Sequence, residues 1–162
     1  MRRIDREITD KSEIIKIIDK CGVCRIALSQ NNIPYIVPMN FGYEYDNYTS
    51  RLMLYFHCAK EGRKLDIIKE NSTVCFECDC SHRLMSGEKA HNFSMEYESV
   101  IGDGNIVIVG DAETDEKYKA LGLIMKKYAP EKTFEFSETD INSVTILKLT
   151  VSGFTGKRNI KT

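Results

Sequence analysis

A chain of 162 residues with 42% hydrophobic side chains is the size of one ordinary domain and can bury a core without metal or disulfide staples. Lysine and arginine number 23 against 24 aspartates and glutamates, a formal net charge of −1, which removes the broad basic footprint of non-specific nucleic-acid binding. No apolar run reaches membrane-spanning length, the N-terminus MRRIDREITDKSE is too charged for a secretory signal, and six cysteines without such a signal read as reduced thiols, so a single cytoplasmic domain over residues 1–162 is expected.

In chain order, Asp10 followed three residues later by Glu13 has capping-box spacing, and the helix it would open carries Ile14, Ile15, Ile17 and Ile18 before ending at Cys21-Gly22. Two strands follow, Val23 to Ser29 and Ile33 to Tyr43, joined by Gln30-Asn31-Asn32 as a hairpin. The second puts Tyr35, Val37, Met39, Phe41 and Tyr43 on one face. Pro34 and Pro38 remove donors that a central strand needs, which predicts a sheet edge or a bulge at Pro38. Leu52 to Ala59 alternates Leu52, Leu54, Phe56 and Cys58 against Met53, Tyr55, His57 and Ala59, the period of a strand, then turns through Gly62 into a helix with Leu65 and Ile68 inward.

Thr73 to Cys80 predicts another strand, and the polar stretch Ser81 to Ser94 a surface loop or lid. Met95 to Gly110 reads as one long strand kinked at Gly102-Asp103-Gly104, or as a hairpin turning there. Thr114 opens a third helix with Leu121, Ile124, Met125 and Tyr128 on one stripe, and Pro130 blocks its continuation. A last strand, Ser143 to Val151, directs Thr145, Leu147, Leu149 and Val151 to the core, leaving Thr155-Gly156-Lys157-Arg158 as a basic chain end. About six strands and three helices, joined partly by hairpins, predict an α+β fold on an antiparallel sheet or barrel.

The stretch with most chemistry is Leu52 to Lys69. Arg63 and Lys64 stand at a helix start, where unsatisfied N–H groups and the positive end of the helix dipole disfavour cations unless an anion docks. A phosphate would resolve that conflict, whereas solvated surface cations would need no ligand. His57, at the end of the preceding strand, is either a hydrogen-bonded structural residue or part of the same site. The cysteines do not make a metal site: Cys75 and Cys78 face opposite sides of a strand, and Cys78, Cys80 and His82 stand roughly 7 Å apart at each step. Cys21-Gly22-Val23-Cys24 ends a helix, whereas a redox CxxC begins one. No P-loop, dinucleotide glycine fingerprint or nucleophile elbow is present.

Five stretches occur in order: Asp5-Arg6-Glu7-Ile8, Pro34 through Phe41, Tyr55 through Ala59 with Gly62-Arg63-Lys64, Tyr97 through Gly102, and Thr155-Gly156-Lys157. Together they resemble the pyridoxamine 5′-phosphate oxidase-related flavoproteins, in particular the branch of the 5-nitroimidazole-resistance proteins. The resemblance implies a split β-barrel that forms a homodimer with FMN in two interface clefts. It implies that Val37, Pro38, Met39 and Asn40 run along the isoalloxazine, with backbone freed by an irregularity at Pro38. Gly62, Arg63 and Lys64 would take the phosphate, His57 and Ala59 would line the cleft, and Tyr97 and Ser99 would approach from either subunit. His91 stands where the family often has a cysteine, and Lys157 and Arg158 gain no role.

The activity implied is that of an FMN-dependent oxidoreductase of the nitroreductase type, passing electrons from a nicotinamide donor to a nitroaromatic or similar acceptor, with His57 as the catalytic candidate. Two alternatives remain: a flavin-binding or storage protein without turnover, and a haem-binding split barrel using His57, His82 or His91 as axial ligand. Pyridoxamine phosphate oxidation itself is disfavoured, because this shorter chain has no counterpart of that enzyme's substrate-phosphate site.

Overall fold

The computed structural model describes residues 3–160. Within them the elements are β1 (Glu7–Ile8), α1 (Lys11–Lys20), β2 (Cys24–Gln30), β3 (Ile33–Met39), β4 (Gly42–Asp46), β5 (Arg51–Cys58), α2 (Arg63–Glu70), β6 (Thr73–Met85), β7 (Ser94–Ile108), α3 (Thr114–Tyr128), α4 (Glu138–Ser143) and β8 (Thr145–Asn159). All eight strands join one antiparallel sheet in the order β3-β2-β6-β7-β8-β5-β4, with β1 pairing onto β8.

That order forces the sheet to roll up. β3 and β4 are its two opposite edges, six strand spacings apart, which in a flat sheet would be about 29 Å. Only Asn40 and Phe41 separate them in sequence, and three residue steps span at most about 11 Å. The edges therefore lie close together, yet they are not hydrogen-bonded to each other, so the barrel is split along this line. The expected continuous strand Ile33 to Tyr43 is broken here for that reason. β3 itself pairs with β2 in unbroken register from Gln30↔Ile33 to Cys24↔Met39, so Pro38 sits on a regular edge and not in a bulge. The β2–β3 turn is the tight pair Asn31-Asn32, with φ of 52° and 63°, values that asparagine tolerates better than most residues.

Alternation along the strands fills the barrel with Ile26, Leu54, Phe56, Phe76, Val100, Ile106 and Leu149, closed at one side by Ile14, Ile17 and Ile18 of α1. Asp10 caps α1 by accepting the Ser12 N–H at 2.8 Å, but Glu13 does not complete a box and is held instead by Lys16 and Arg158. A second cluster forms outside the barrel, where Ala120 and Leu121 of α3 and Ile141 of α4 cover Tyr55 and Ile146. α3 lies so close to β4 that a side chain at Gly42 would meet the backbone of Leu123 and Ile124. On α3 the buried face is Lys117, Ala120, Leu121 and Ile124; Tyr128 is at its margin, with its hydroxyl donating to Gly22 O and accepting from Phe41 N.

Other differences from the sequence reading share one cause, which is that long strands pass through polar or glycine-bearing segments when both neighbours supply ladder bonds. β6 continues past Cys80 to Met85, through an irregularity at Ser81 (φ 60°), so the expected loop shrinks to residues 86–93. β7 is the kinked long strand and not a hairpin, its register slipping between Asp103 and Gly104 against β8. β8 continues to Asn159, placing the supposed chain end inside the sheet between β1 and β7. A fourth helix, α4, lies outside the expected three and has a separate cause, the reciprocal capping box of Ser137 and Asp140 at its start.

Candidate functional site

The line where the barrel is split carries a cleft of about 280 Å³. Val37, Pro38, Met39 and Asn40 form one wall from the β3 edge, and His57, Cys58, Ala59 and Lys64 form the other from the end of β5 and the start of α2. The backbone available along this cleft comes from the edge position of β3, which bonds only β2. His57 points outward from β5 beyond the part covered by α3, is exposed, and has no side-chain hydrogen-bond partner among the described residues. Cys58 was not anticipated as a lining residue, although it lies between two that were; burial pushes its thiol up while the Lys64 ammonium pulls against it.

The start of α2 lies at one end of this cleft. Gly62 adopts φ 140°, a conformation that residues with a side chain rarely take, and this turns the chain from β5 into α2. The first amides bonded within the helix are those of Leu65 and Asp66, both to Gly62 O, so the N–H groups of Arg63 and Lys64 are not used by the helix. Among the described residues neither Arg63 nor Lys64 forms an ion pair. Arg63 lies 4.6 Å above the ring of Tyr35, which holds its guanidinium on the β3 side. Lys64 lines the cleft directly; Gly62 and Arg63 adjoin it.

Tyr97 and Ser99 do not reach the cleft of their own chain. Both lie on the outer face of β7, half-buried, with Lys157 6.0 Å over the Tyr97 ring. Between them Glu98 faces inward, 2% exposed, and binds Lys20 at 3.0 Å, Ser81 at 2.9 Å and Arg158 at 2.7 Å. The basic residue Arg158 thus holds a buried acid, and was misjudged as solvated because its strand was not recognised. His82 pairs with Asp79 at 2.8 Å and His91 sits on a short exposed turn; neither lines the cleft. All six cysteines are free, and among the described residues no three of histidine, cysteine, aspartate and glutamate are placed to hold a metal ion.

An antiparallel barrel split beside an edge strand, with a cleft at the split, is the architecture of the split-barrel class. The family profile described as pyridoxamine 5′-phosphate oxidase matches residues 10–158, and the chain belongs to this flavin-binding family. Among solved structures, a candidate 5-nitroimidazole antibiotic resistance protein from Bacteroides thetaiotaomicron is 33% identical, with 94% of this chain and 86% of that one covered and a TM-score of 0.78. The flavocytochrome Anf3 from Azotobacter vinelandii has the same TM-score at 19% identity, covering 99% of this chain and 72% of its own. An FAD and haem binding protein from Mycobacterium smegmatis, at 14% identity and TM-score 0.78 with 96% and 74% covered, shares the fold. No curated protein matches significantly.

The cluster at Glu98 gives a pH test. Burial pushes this carboxyl up, but Lys20, Ser81 and Arg158 outweigh it and the group titrates below its ordinary value of 4.5. The unfolded chain therefore takes up the proton first, so the cluster's contribution is complete above that value and is lost as the pH falls through the lower, folded one. Glu98→Gln should cost about 2 kcal/mol at pH 7 and flatten the acid side of the stability profile, read by urea unfolding from pH 3 to pH 7. Parallel profiles for variant and wild type would remove Glu98 from this role.

Proposed function

We propose that the protein binds FMN in the cleft between β3 and α2 and acts as an oxidoreductase of the nitroreductase type. The observation that supports this most strongly is the coincidence, at one cleft, of the exposed His57 imidazole with two cations at the adjoining helix start that form no ion pair among the described residues. When bound, the flavin supplies the electron transfer between a nicotinamide donor and a nitroaromatic or similar acceptor. Arg63, Lys64 and the free amides of the first turn of α2 hold the phosphate, with two charges matching its dianion. The backbone of Val37 to Asn40 holds the polar edge of the ring. His57 stands beside the ring, where its imidazole can form a hydrogen bond to the cofactor's polar edge.

The same reading includes a homodimer. On the outer face of the sheet, Ile101, Glu77, Arg25 and Pro38 follow one another across four paired strands, so the face bearing Tyr97 and Ser99 is continuous with the margin of the cleft. It exposes Ile36 at 61% and Ile101 at 51%, apolar area that a second copy would cover. Tyr97 and Ser99 would then complete the partner's cleft.

Three measurements test this. Replacing Arg63 and Lys64 with alanine should weaken FMN by roughly a hundredfold while leaving riboflavin nearly unchanged; equal losses would mean the phosphate lies elsewhere. FMN-loaded protein should oxidise NADH or NADPH with a nitroaromatic present, and His57→Ala should alter that turnover and the flavin potential at an unchanged melting temperature. Binding of FMN without any nicotinamide oxidation would leave a flavin-storage protein instead. Ile101→Arg should yield a monomer by light scattering with weakened FMN binding, and a variant still dimeric with full affinity would relocate the interface.

A further inference from the structure

A second cleft, of about 270 Å³, lies on the other side of the β5 end. Lys60 lines it, one residue beyond Ala59 of the first cleft, and so does Thr145, which pairs across the sheet with Cys58. Its remaining walls are the end of β7 with Gly110 and Asp111, and Lys117 from α3. Lys117 belongs to the apolar stripe of that helix and its side chain is only 3% exposed, whereas the carboxylate that neutralises it, Asp111, is fully exposed at 2.6 Å. A buried ammonium requires an anion at all times, but an anion held in solvent is cheaply exchanged.

Asp111 is not needed to hold its loop. The loop is tied by the Glu113 carboxylate, which accepts the Gly110 N–H at 2.9 Å, and by the Glu113 N–H donating to Gly110 O at 3.1 Å. Lys117 has three donors and spends one on Asp111; Lys60 is exposed, with no ion pair among the described residues. With Asp111 swung outward, the two ammoniums match a dianion.

We propose that this cleft is a second anion site, in which Lys60 and Lys117 bind a phosphate monoester of the kind a nucleotide carries, and Asp111 is the internal anion that it displaces. The site is separate from the phosphate position at Arg63 and Lys64 and does not depend on which flavin, if any, occupies the first cleft.

Calorimetric titration of FMN-saturated protein with adenosine 5′-monophosphate, inorganic phosphate and adenosine tests the assignment. The monophosphate should bind, inorganic phosphate should compete with it, and adenosine should not. Lys60→Ala should weaken the monophosphate about tenfold or more, Asp111→Asn should tighten it severalfold, and the Arg63 and Lys64 alanine variants should leave it unchanged. Adenosine binding as well as the monophosphate, or indifference to Lys60→Ala, would overturn the site. Loss of binding in the Arg63 and Lys64 variants alone would assign the phosphate to the helix start. Should FMN fail to bind, the same comparison of variants on the unsaturated protein still decides this question, so the two readings fail separately.

Discussion

The short crossing at Asn40-Phe41 governs the rest of this structure. Two residues carry the chain from one edge of the sheet to the other, so the sheet has to curl until those edges approach. Because they approach without bonding, the barrel retains an open line. The candidate cleft is that line: its walls are the last residues of β3, the crossing itself, and the end of β5 with its helix. Phe41 fixes the crossing from inside, fully buried against Phe56, with its amide held by the Tyr128 hydroxyl. Gly42, next along, leaves room for α3. The barrel core and the helix outside it both press on the segment that opens the site.

The local electrostatics follow from the same geometry. At the end of β5 the chain leaves the sheet through Ala59 to Gly62, and two lysine-bearing clefts flank this exit. One side offers the unbonded amides and cations at the start of α2, and the other offers a buried lysine balanced by a solvent-borne carboxylate. Along the sheet, at Glu98, the opposite arrangement holds: a buried acid is gripped by three donors and serves the fold. The contrast separates a charge enclosed with all its partners from charges that face solvent or rest on a solvent-exposed partner.

Much of this was legible in the sequence. The β5–α2 stretch was read correctly because alternation, one glycine and a helical stripe are strong local signals, and they place His57, Gly62, Arg63 and Lys64 without any tertiary information. Pro34 and Pro38 marked an edge strand for the same reason. The misreadings concern pairing. Ser81 to Met85 and Ser152 to Asn159 carry polar residues and glycines that look like loop, and become strand only because β7 lies alongside to bond them. The break at Phe41 was hidden because the alternation of apolar residues runs straight through it. The burial of Lys117 could not be read from a helix pattern, since a lysine within a stripe looks the same whether it is buried or turned to solvent.

The position of β8 has a consequence for how the chain comes to be folded. It is synthesised after every other strand of this sheet, yet in the sheet it stands between β7 and β5, and it also receives β1. Until about residue 159 has been synthesised, β5 and β7 have no neighbour on that side, and the nascent chain carries two open ladders with apolar faces. Contacts between β1 and β8 close the longest loop within this sheet, and closing a long loop is entropically costly and slow. During translation the exposed edges of β5 and β7 are the surfaces on which a chaperone would act, or from which misassembly would begin.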